Sequence, residues 1–377
     1  MFPATIEFVK RSVSHPQAQS DQNQNLQPID HLLKIAGLVR NRRGSAPPGI
    51  TTRLRRLRQE AATVEELSAP APRLALAKNG VGLLQVPAWR DRKTVSRWLW
   101  HGFSTRVGGV STVYAAEDES GDAPGELNLG FTAADEREAV VQNRRLLAGA
   151  VTGDKTIPIV TLRQFHSNLV VIADAGDADR ERPRKADGVI TAEPGLLIAI
   201  QTADCIPVLV ADRKRRVVAG FHAGWRGTVK RIVELGLGRM RLEFGSQPED
   251  LIAAIGPGAG QCCYAVGEEV LSEFESQFSY ARDLFREVFD SDPVRKKYPM
   301  LFLTQRAPGH SPIGPALHLD LIEANRRQLL DAGLKAAAIS LTGGCTNCHT
   351  DLFFSHRASQ GHAGRMMSVI GIRGDTI

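Results

Sequence analysis

The run LLIAIQTADCIPVLVAD (196–212) is apolar on nearly every residue of its two ends and is broken in the middle by Thr202-Ala-Asp-Cys205. Apolar residues at consecutive rather than alternate positions read as β-structure buried on both faces. A strand in a globular protein usually has about 5–6 residues, so this run is too long to be one strand. It is read as more than one buried strand, with a polar, thiol-bearing stretch at a strand end.

Working outward, the same character recurs in IPIVTLRQ (157–164), LVVIAD (169–174), VVAGFHAG (217–224), LIAAIG (251–256) and AAAISLTG (336–343). LALAKNGVGLLQVPAW (74–89) reads as two short strands around a turn at Asn79-Gly80, a favoured hairpin dipeptide. Helical patterns fall at 137–151, 228–245, 266–278 and 320–333, the last opening on Asp320 and ending on Gly333 as helix boundaries prefer. Strands and helices mix without a strict βαβ rhythm, and no repeat of 20–50 residues is present. The pattern predicts an α+β fold, a single layered domain of mixed β-sheets with flanking helices, rather than a doubly wound sheet.

The body is expected to span 74–377. Residues 1–73 are rich in Gln, Asn, Ser, Pro and Arg and read as a flexible, basic extension with one short helix at 29–41. Glu7 and Asp21 weigh against an organelle-targeting segment. Of the formal net charge of +6, much sits in NRRGS (41–45) and RLRRLRQ (53–59). No aromatic interleaving or reader motif accompanies these basic runs, so no nucleic-acid partner is expected. No apolar stretch reaches the ~18–20 residues of a membrane helix and no secretory signal is evident, so the expectation is a cytoplasmic protein without a membrane partner. Five cysteines in 377 residues are too few for a disulfide framework and draw attention to metal or nucleophilic roles.

Reactive side chains gather at the strand ends: Gln164-Phe-His166, Thr202-Ala-Asp-Cys205 and Phe221-His222-Ala-Gly-Trp-Arg-Gly227. Two imidazoles and one thiolate suit Zn²⁺, and a catalytic zinc commonly keeps three protein ligands and one open position. The separations match no short zinc-finger signature. The plainer reading makes Cys205 a small buried hydrophobe and leaves both histidines satisfied elsewhere. Against it stands the setting of His222, at the end of an apolar strand, with Gly224 and Gly227 allowing tight backbone geometry and Arg226 offering an anion-binding fork.

RQFHSN (163–168), ADGVIT (186–191), TADCIPVLVAD (202–212), AGFHAGWRGT (219–228), IGPGAGQCCYAVGEEV (255–270) and CTNCHTDLFFSHRASQGHAGRMMSVIGI (345–372) resemble, in order, the motifs of the laccase-domain family, also described as YfiH-like or polyphenol oxidase. FSTRVGGVS (103–111) and LNLGF (127–131) fit its early motifs, so the resemblance covers roughly 75–375. It implies a YfiH-like fold and a zinc-dependent purine nucleoside phosphorylase with adenosine deaminase activity, acting on purine nucleosides and phosphate. By matching motifs, His166, Cys205 and His222 become zinc ligands and catalytic residues, with Asp204 preceding the cysteine.

For phosphate, the candidates are Arg226, Arg106 and the amides of Gly108-Gly109, each with a structural reading beside it. Asn128 resembles a family site residue, or caps a turn. Cys263, before Tyr264, is the closer match to the family's single cysteine and is expected to line the pocket, as are Tyr264 and Arg357. Cys345-Thr-Asn-Cys348-His349 is not read as haem attachment, and a second zinc site there would need two further ligands, for which His349 and His356 are available.

Two other chemistries compete. A copper-dependent polyphenol oxidase is disfavoured, because the methionines show no cupredoxin spacing and a trinuclear cluster needs more histidines. A metal-free hydrolase or deamidase would use Cys205 as nucleophile and His222 as base, and His166 converging on the same point would favour a metal. A monomer or small homo-oligomer is expected.

Overall fold

In the computed structural model, residues 62–63, 67–68, 70–90, 95–115, 125–289 and 316–374 are described, all within the unit Arg56–Ile377. The expected helix at 29–41 and the basic runs lie outside these residues. The strands β1 (Ala62–Thr63), β2 (Ala75–Leu76), β3 (Gly82–Leu84), β4 (Leu99–Ser104) and β5 (Val107–Ser111) precede helix α1 (Arg137–Thr152). Then come β6 (Ile159–Val160), β7 (Val170–Ile172), β8 (Gly188–Thr191), β9 (Leu196–Thr202), β10 (Ile206–Asp212) and β11 (Val217–Ala223). Helices α2 (Trp225–Val229) and α3 (Ile232–Phe244) lead to β12 (Leu251–Ile255), β13 (Ala265–Val266), α4 (Glu268–Gln277) and β14 (Phe285–Phe289). The chain ends with β15 (Ala316–Leu319), α5 (Leu321–Asp331), β16 (Ile339–Leu341) and β17 (Met366–Ile372).

The long apolar run does split, and its halves enter different sheets. One six-stranded sheet has the order β16-β12-β10-β11-β8-β7, the other β2-β3-β4-β17-β9-β6. Each mixes antiparallel pairs with parallel ones, β12 with β16 and β7 with β8 in the first, β6 with β9 in the second. A four-stranded sheet β1-β14-β15-β13 completes the body, with β1 drawn from within the stretch read as an extension.

Side-chain alternation along the strands explains the layering. On β9, Leu196, Ile198 and Ile200 meet Leu209, Ala211 and Val218 of the first sheet, whereas Leu197 and Ala199 point to the side of α1. On β10 and β11, Ile206, Val208, Val210, Ala219 and Phe221 face the opposite way, toward α3 and α5. The result is helix, sheet, sheet, helix, an α+β layered body. Because both faces of the inner strands are covered, their sequences read as unbroken apolar runs rather than as alternation.

Several boundaries moved. The helix expected at 228–245 is two helices, because Arg231 adopts a left-handed conformation (φ 58°) between α2 and α3. At the break the Thr228 carbonyl accepts both the Arg231 amide at 2.9 Å and the Gln328 side-chain amide at 2.8 Å. The strand expected over 157–164 shrinks to Ile159–Val160, and 336–338 form a 3₁₀ turn before β16. Asp320 caps α5 as expected, accepting the Glu323 amide at 2.8 Å, and Gly333 follows with φ 95°. Among the described residues, no helix is long and apolar enough to cross a membrane.

Candidate metal centre and cavity

His222 is the penultimate residue of β11, and Cys205 lies directly before β10, its antiparallel neighbour. His166 comes from the loop between β6 and β7. Residues 39 and 17 positions apart in sequence thus meet at one edge, and single ligand atoms of His166, Cys205 and His222 lie within 4.8 Å of one another. The Cys205 Sγ to His166 Nε2 distance is 3.7 Å. The two imidazole rings are 4.9 Å apart, edge to face.

Asp187 organises this trio, a role the sequence reading did not give it. Its carboxylate is fully buried before β8 and accepts the backbone N–H groups of Phe165, His166 and Ser167 at 2.7–3.2 Å. It also accepts the Ser167 hydroxyl at 2.6 Å and His222 Nδ1–H at 2.8 Å. The loop that presents His166 with its left-handed backbone (φ 62°) is therefore folded around one carboxylate, and the same carboxylate turns His222 so that its Nε2 is the nitrogen left for other partners. A signal was present in ADGVIT, an acid just before a buried strand, yet sequence alone gives no sign that three amides and an imidazole converge on it.

The charges follow. Burial opposes ionisation of Asp187, but hydrogen bonds from His222 and Ser167 and the His222 charge outweigh it and hold its carboxyl well below the usual range. Burial would likewise raise the Cys205 thiol, yet the His222 and His166 imidazoles bring it down to about 6. Burial would lower His222, but the Cys205 thiolate and Asp187 raise it to about 9. A partly buried thiolate beside a buried imidazolium marks a point where a cation is wanted, and one metal ion replacing that proton would satisfy the thiolate and both imidazoles. Ligand chemistry and geometry both fit a His₂Cys metal centre, with Asp187 as its orienting second partner.

These groups line a cavity of about 710 Å³ together with Trp225, Arg226, Tyr264, Arg357 and Arg365, a size usual for small-molecule sites. Arg226 lies over the Trp225 ring at 4.4 Å, and Arg357 lies over the Tyr264 ring at 4.7 Å while donating to the Ala265 carbonyl. Burial first, then the nearby Cys205 and Asp204 charges, push the Tyr264 hydroxyl above its ordinary range, so it stays protonated. Asp204, before Cys205, holds a positive φ of 93°. Thr346 Oγ1 and the Arg357 amide, each 2.7 Å from its carboxylate, support that conformation, as does the Ala259 amide on its carbonyl.

Of the residues expected in the site, Arg106, Asn128 and Cys263 are not among those lining this cavity. Arg106 pairs with Glu126, donates to the Thr350 and Tyr114 carbonyls and stacks on Phe354, beside a separate cavity of about 240 Å³. The Gly108-Gly109 backbone is packed rather than open: a Cβ on Gly109 would fall 2.1 Å from the Glu126 carbonyl oxygen. Asn128 spends its amide on Gly130, Asp135 and the Arg365 amide, so it shapes the turn that presents Arg365. Cys263 belongs to a cluster of cysteines elsewhere. Arg163, Arg365 and Trp225 line the cavity without having been singled out, since surface-type residues acquire a site only through the fold.

Residues 100–373 match the family described as multi-copper polyphenol oxidoreductase laccase. A purine nucleoside phosphorylase of Bacteroides thetaiotaomicron is 34% identical over 277 residues, 72% of this chain and 91% of that protein. An adenosine deaminase named RL5, from an unknown prokaryotic organism, is 31% identical over 236 residues, covering 61% of this chain and 81% of its own. The crystal structure of the hypothetical protein YfiH of Bacillus licheniformis superposes with a TM-score of 0.63 at 29% identity, over 80% of this chain and 99% of that one. With the mixed-sheet fold shared and the motifs in order across most of its length, the chain belongs to the multi-copper polyphenol oxidoreductase laccase family.

Proposed function

We propose that the chain is a zinc-dependent purine nucleoside phosphorylase that also deaminates adenosine. The observation that carries this reading is the convergence of His166, Cys205 and His222 on the edge of a roomy cavity that also offers arginines and a protonated tyrosine. The relatives named as phosphorylase and deaminase supply the substrate class.

When bound by His166, Cys205 and His222, zinc supplies Lewis acidity and acidifies water toward neutral pH, which suits attack on C6 of adenine. The chain's own residues account for the rest. Arg226, with Arg163 and Arg365 as further candidates, holds a phosphate by charge-assisted hydrogen bonds against the ribose C1′. As the phosphate oxygen bonds to C1′, the glycosidic bond breaks and its electron pair leaves on the purine. The Tyr264 hydroxyl and Arg357 stabilise that departing base by hydrogen bonding, and Asp187 keeps His222 in one orientation throughout.

The zinc assignment competes with copper, which the family's name favours. Among the described residues the metal-capable groups are this trio and a cluster of four cysteines, neither of which is a histidine-rich multicopper set. A Cys-His nucleophile pair is also less well supported, because His166 stands as a third donor 3.7 Å from the thiol.

The test is elemental analysis of the purified protein combined with product identification. Adenosine with phosphate should give adenine and ribose-1-phosphate, with inosine alongside; without phosphate only inosine should form. His222→Ala should abolish both products. Turnover that survives in that variant, or after exhaustive chelation, would sink the reading.

A further inference from the structure

Four of the chain's five cysteines meet at a second point. Cys262 and Cys263 lie in the loop between β12 and β13, and Cys345 and Cys348 lie in the loop after β16. Their four sulfurs all lie within 4.8 Å of one another. Cys262 Sγ is 3.5 Å and Cys263 Sγ 3.4 Å from Cys348 Sγ. Cys262 and Cys345 are buried, and the other two are partly so.

The geometry argues against disulfides. A disulfide needs sulfurs about 2.05 Å apart, and all five cysteines are free. Cys262 and Cys263 are neighbours in sequence, so their Cα atoms sit about 3.8 Å apart, below the ~4.4 Å lower bound of ordinary disulfides. Tetrahedral zinc with Zn–S bonds of about 2.3 Å places its sulfurs about 3.8 Å apart, close to the separations seen.

One backbone amide points at the sulfurs. The Gly260 amide donates to Cys345 Sγ at 3.3 Å. A Cβ on Gly260 would fall 3.2 Å from Cys262 Sγ and 3.3 Å from the Cys345 Cβ, so the near approach of this backbone uses the missing side chain. The turn over 345–348, closed by the His349 amide on the Cys345 carbonyl at 3.1 Å, brings the C-x-x-C pair to one side. The other pair comes from a loop that is bonded to this one, with the Thr346 amide donating to the Gly258 carbonyl at 3.0 Å.

We propose that Cys262, Cys263, Cys345 and Cys348 form a second metal centre, a tetrathiolate zinc site with a structural role. Four thiolates close the coordination shell, leaving no position for substrate. What the ion would do is staple two loops. One carries Tyr264, the residue after Cys263. The other carries Thr346, whose hydroxyl bonds Asp204 beside Cys205, and leads on to Arg357. The cluster therefore fixes one wall of the cavity without touching its contents. The assignment does not depend on the reaction proposed above.

Zinc content of the full-length chain, purified without chelator, tests it. Wild type should hold about two zinc ions per chain. Cys205→Ser should keep about one, and adding Cys345→Ser and Cys348→Ser in that background should remove it. Should the triple variant fold poorly, cobalt replaces zinc in the Cys205→Ser chain: an intense thiolate-to-cobalt charge-transfer band with tetrahedral d–d absorption is expected. The proposal is overturned by a Cys205→Ser chain that neither retains nor takes up one equivalent of metal, by metal that survives loss of Cys345 and Cys348, by iron in place of zinc, or by an intact mass two hydrogens light from a disulfide within the cluster.

Discussion

Asp187 accepts the Nδ1–H of His222 at 2.8 Å while its other oxygen takes the Ser167 amide and hydroxyl. One carboxylate thus aligns a candidate ligand on β11 and folds the loop that offers another. Asp187→Asn keeps the shape but loses the charge and half the acceptors. Metal affinity should fall about 10–100-fold, read by competition against a chromophoric chelator, with adenosine turnover falling in step. Unchanged affinity would mean that the trio is set by packing alone.

Gly224 separates the two halves of the site in a different way. Its backbone (φ −68°) suits alanine, but an added Cβ would fall 2.9 Å from both Cys205 Sγ and His166 Cδ2. Gly224→Ala should therefore displace the ligands while leaving the fold in place. The expected result is at least tenfold weaker metal retention with a nearly unaltered denaturation midpoint for the metal-free protein.

Arg226 is exposed at the cavity and stacks on Trp225. If it holds phosphate, Arg226→Ala removes a charge-assisted hydrogen bond of about 1.5–3 kcal/mol. The KM for phosphate should rise about tenfold or more, with the phosphate-independent release of inosine largely retained. An equal loss of both activities would assign Arg226 to the nucleoside or to the fold.

Far from the site, His101 on β4 is buried against Trp89, and its Nε2 accepts the Val86 amide at 3.0 Å. Burial lowers its pKa from 6.5 to about 4. A histidine whose folded pKa is depressed contributes stability that is present above its unfolded pKa and is lost as pH falls through the folded value. Between pH 7 and pH 4 this group should cost roughly 3 kcal/mol. Urea midpoints of the wild type and His101→Gln should differ in pH slope across that window, and parallel slopes would show that the imidazole does not titrate there.

Packing sets a last expectation. Phe221 on β11 is fully buried, and a Cβ on Gly236 of α3 would come within 2.1 Å of its ring. Gly236→Ala removes the flexibility of a helical glycine, worth about 1 kcal/mol of helix propensity, but overpacks a rigid aromatic. Net destabilisation of about 1–3 kcal/mol is expected from equilibrium unfolding. A gain in stability would show that α3 can shift away from the sheet.

Part of this molecule was readable from residues alone. Consecutive apolar positions in 196–212 announced buried strands, because a strand covered on both faces has no polar side. The length of the run announced a break, because strands are short. Asp320 and Gly333 announced the ends of α5, because capping is local chemistry between a residue and its neighbours. The residue types and settings of His166, Cys205 and His222 suggested a metal, because imidazole and thiolate ligand chemistry belongs to the side chain.

Only the tertiary structure decided the rest. Which sheet each half of 196–212 joins depends on distant pairings, β9 with β17 over a hundred positions away and β10 with β12 about forty positions away. Asp187 gained its place, and Arg106 and Asn128 lost theirs at the cavity, through contacts that no spacing encodes. The C-C and C-x-x-C pairs lie 82 or more residues apart; Cys263 read as lining the pocket and the C-x-x-C pair as short of two ligands, because the two pairs meet only through a loop docking against a loop. Local patterns are carried by the chain's own covalent neighbours; a site is made of groups brought together across distance, and that convergence exists only once the core has formed.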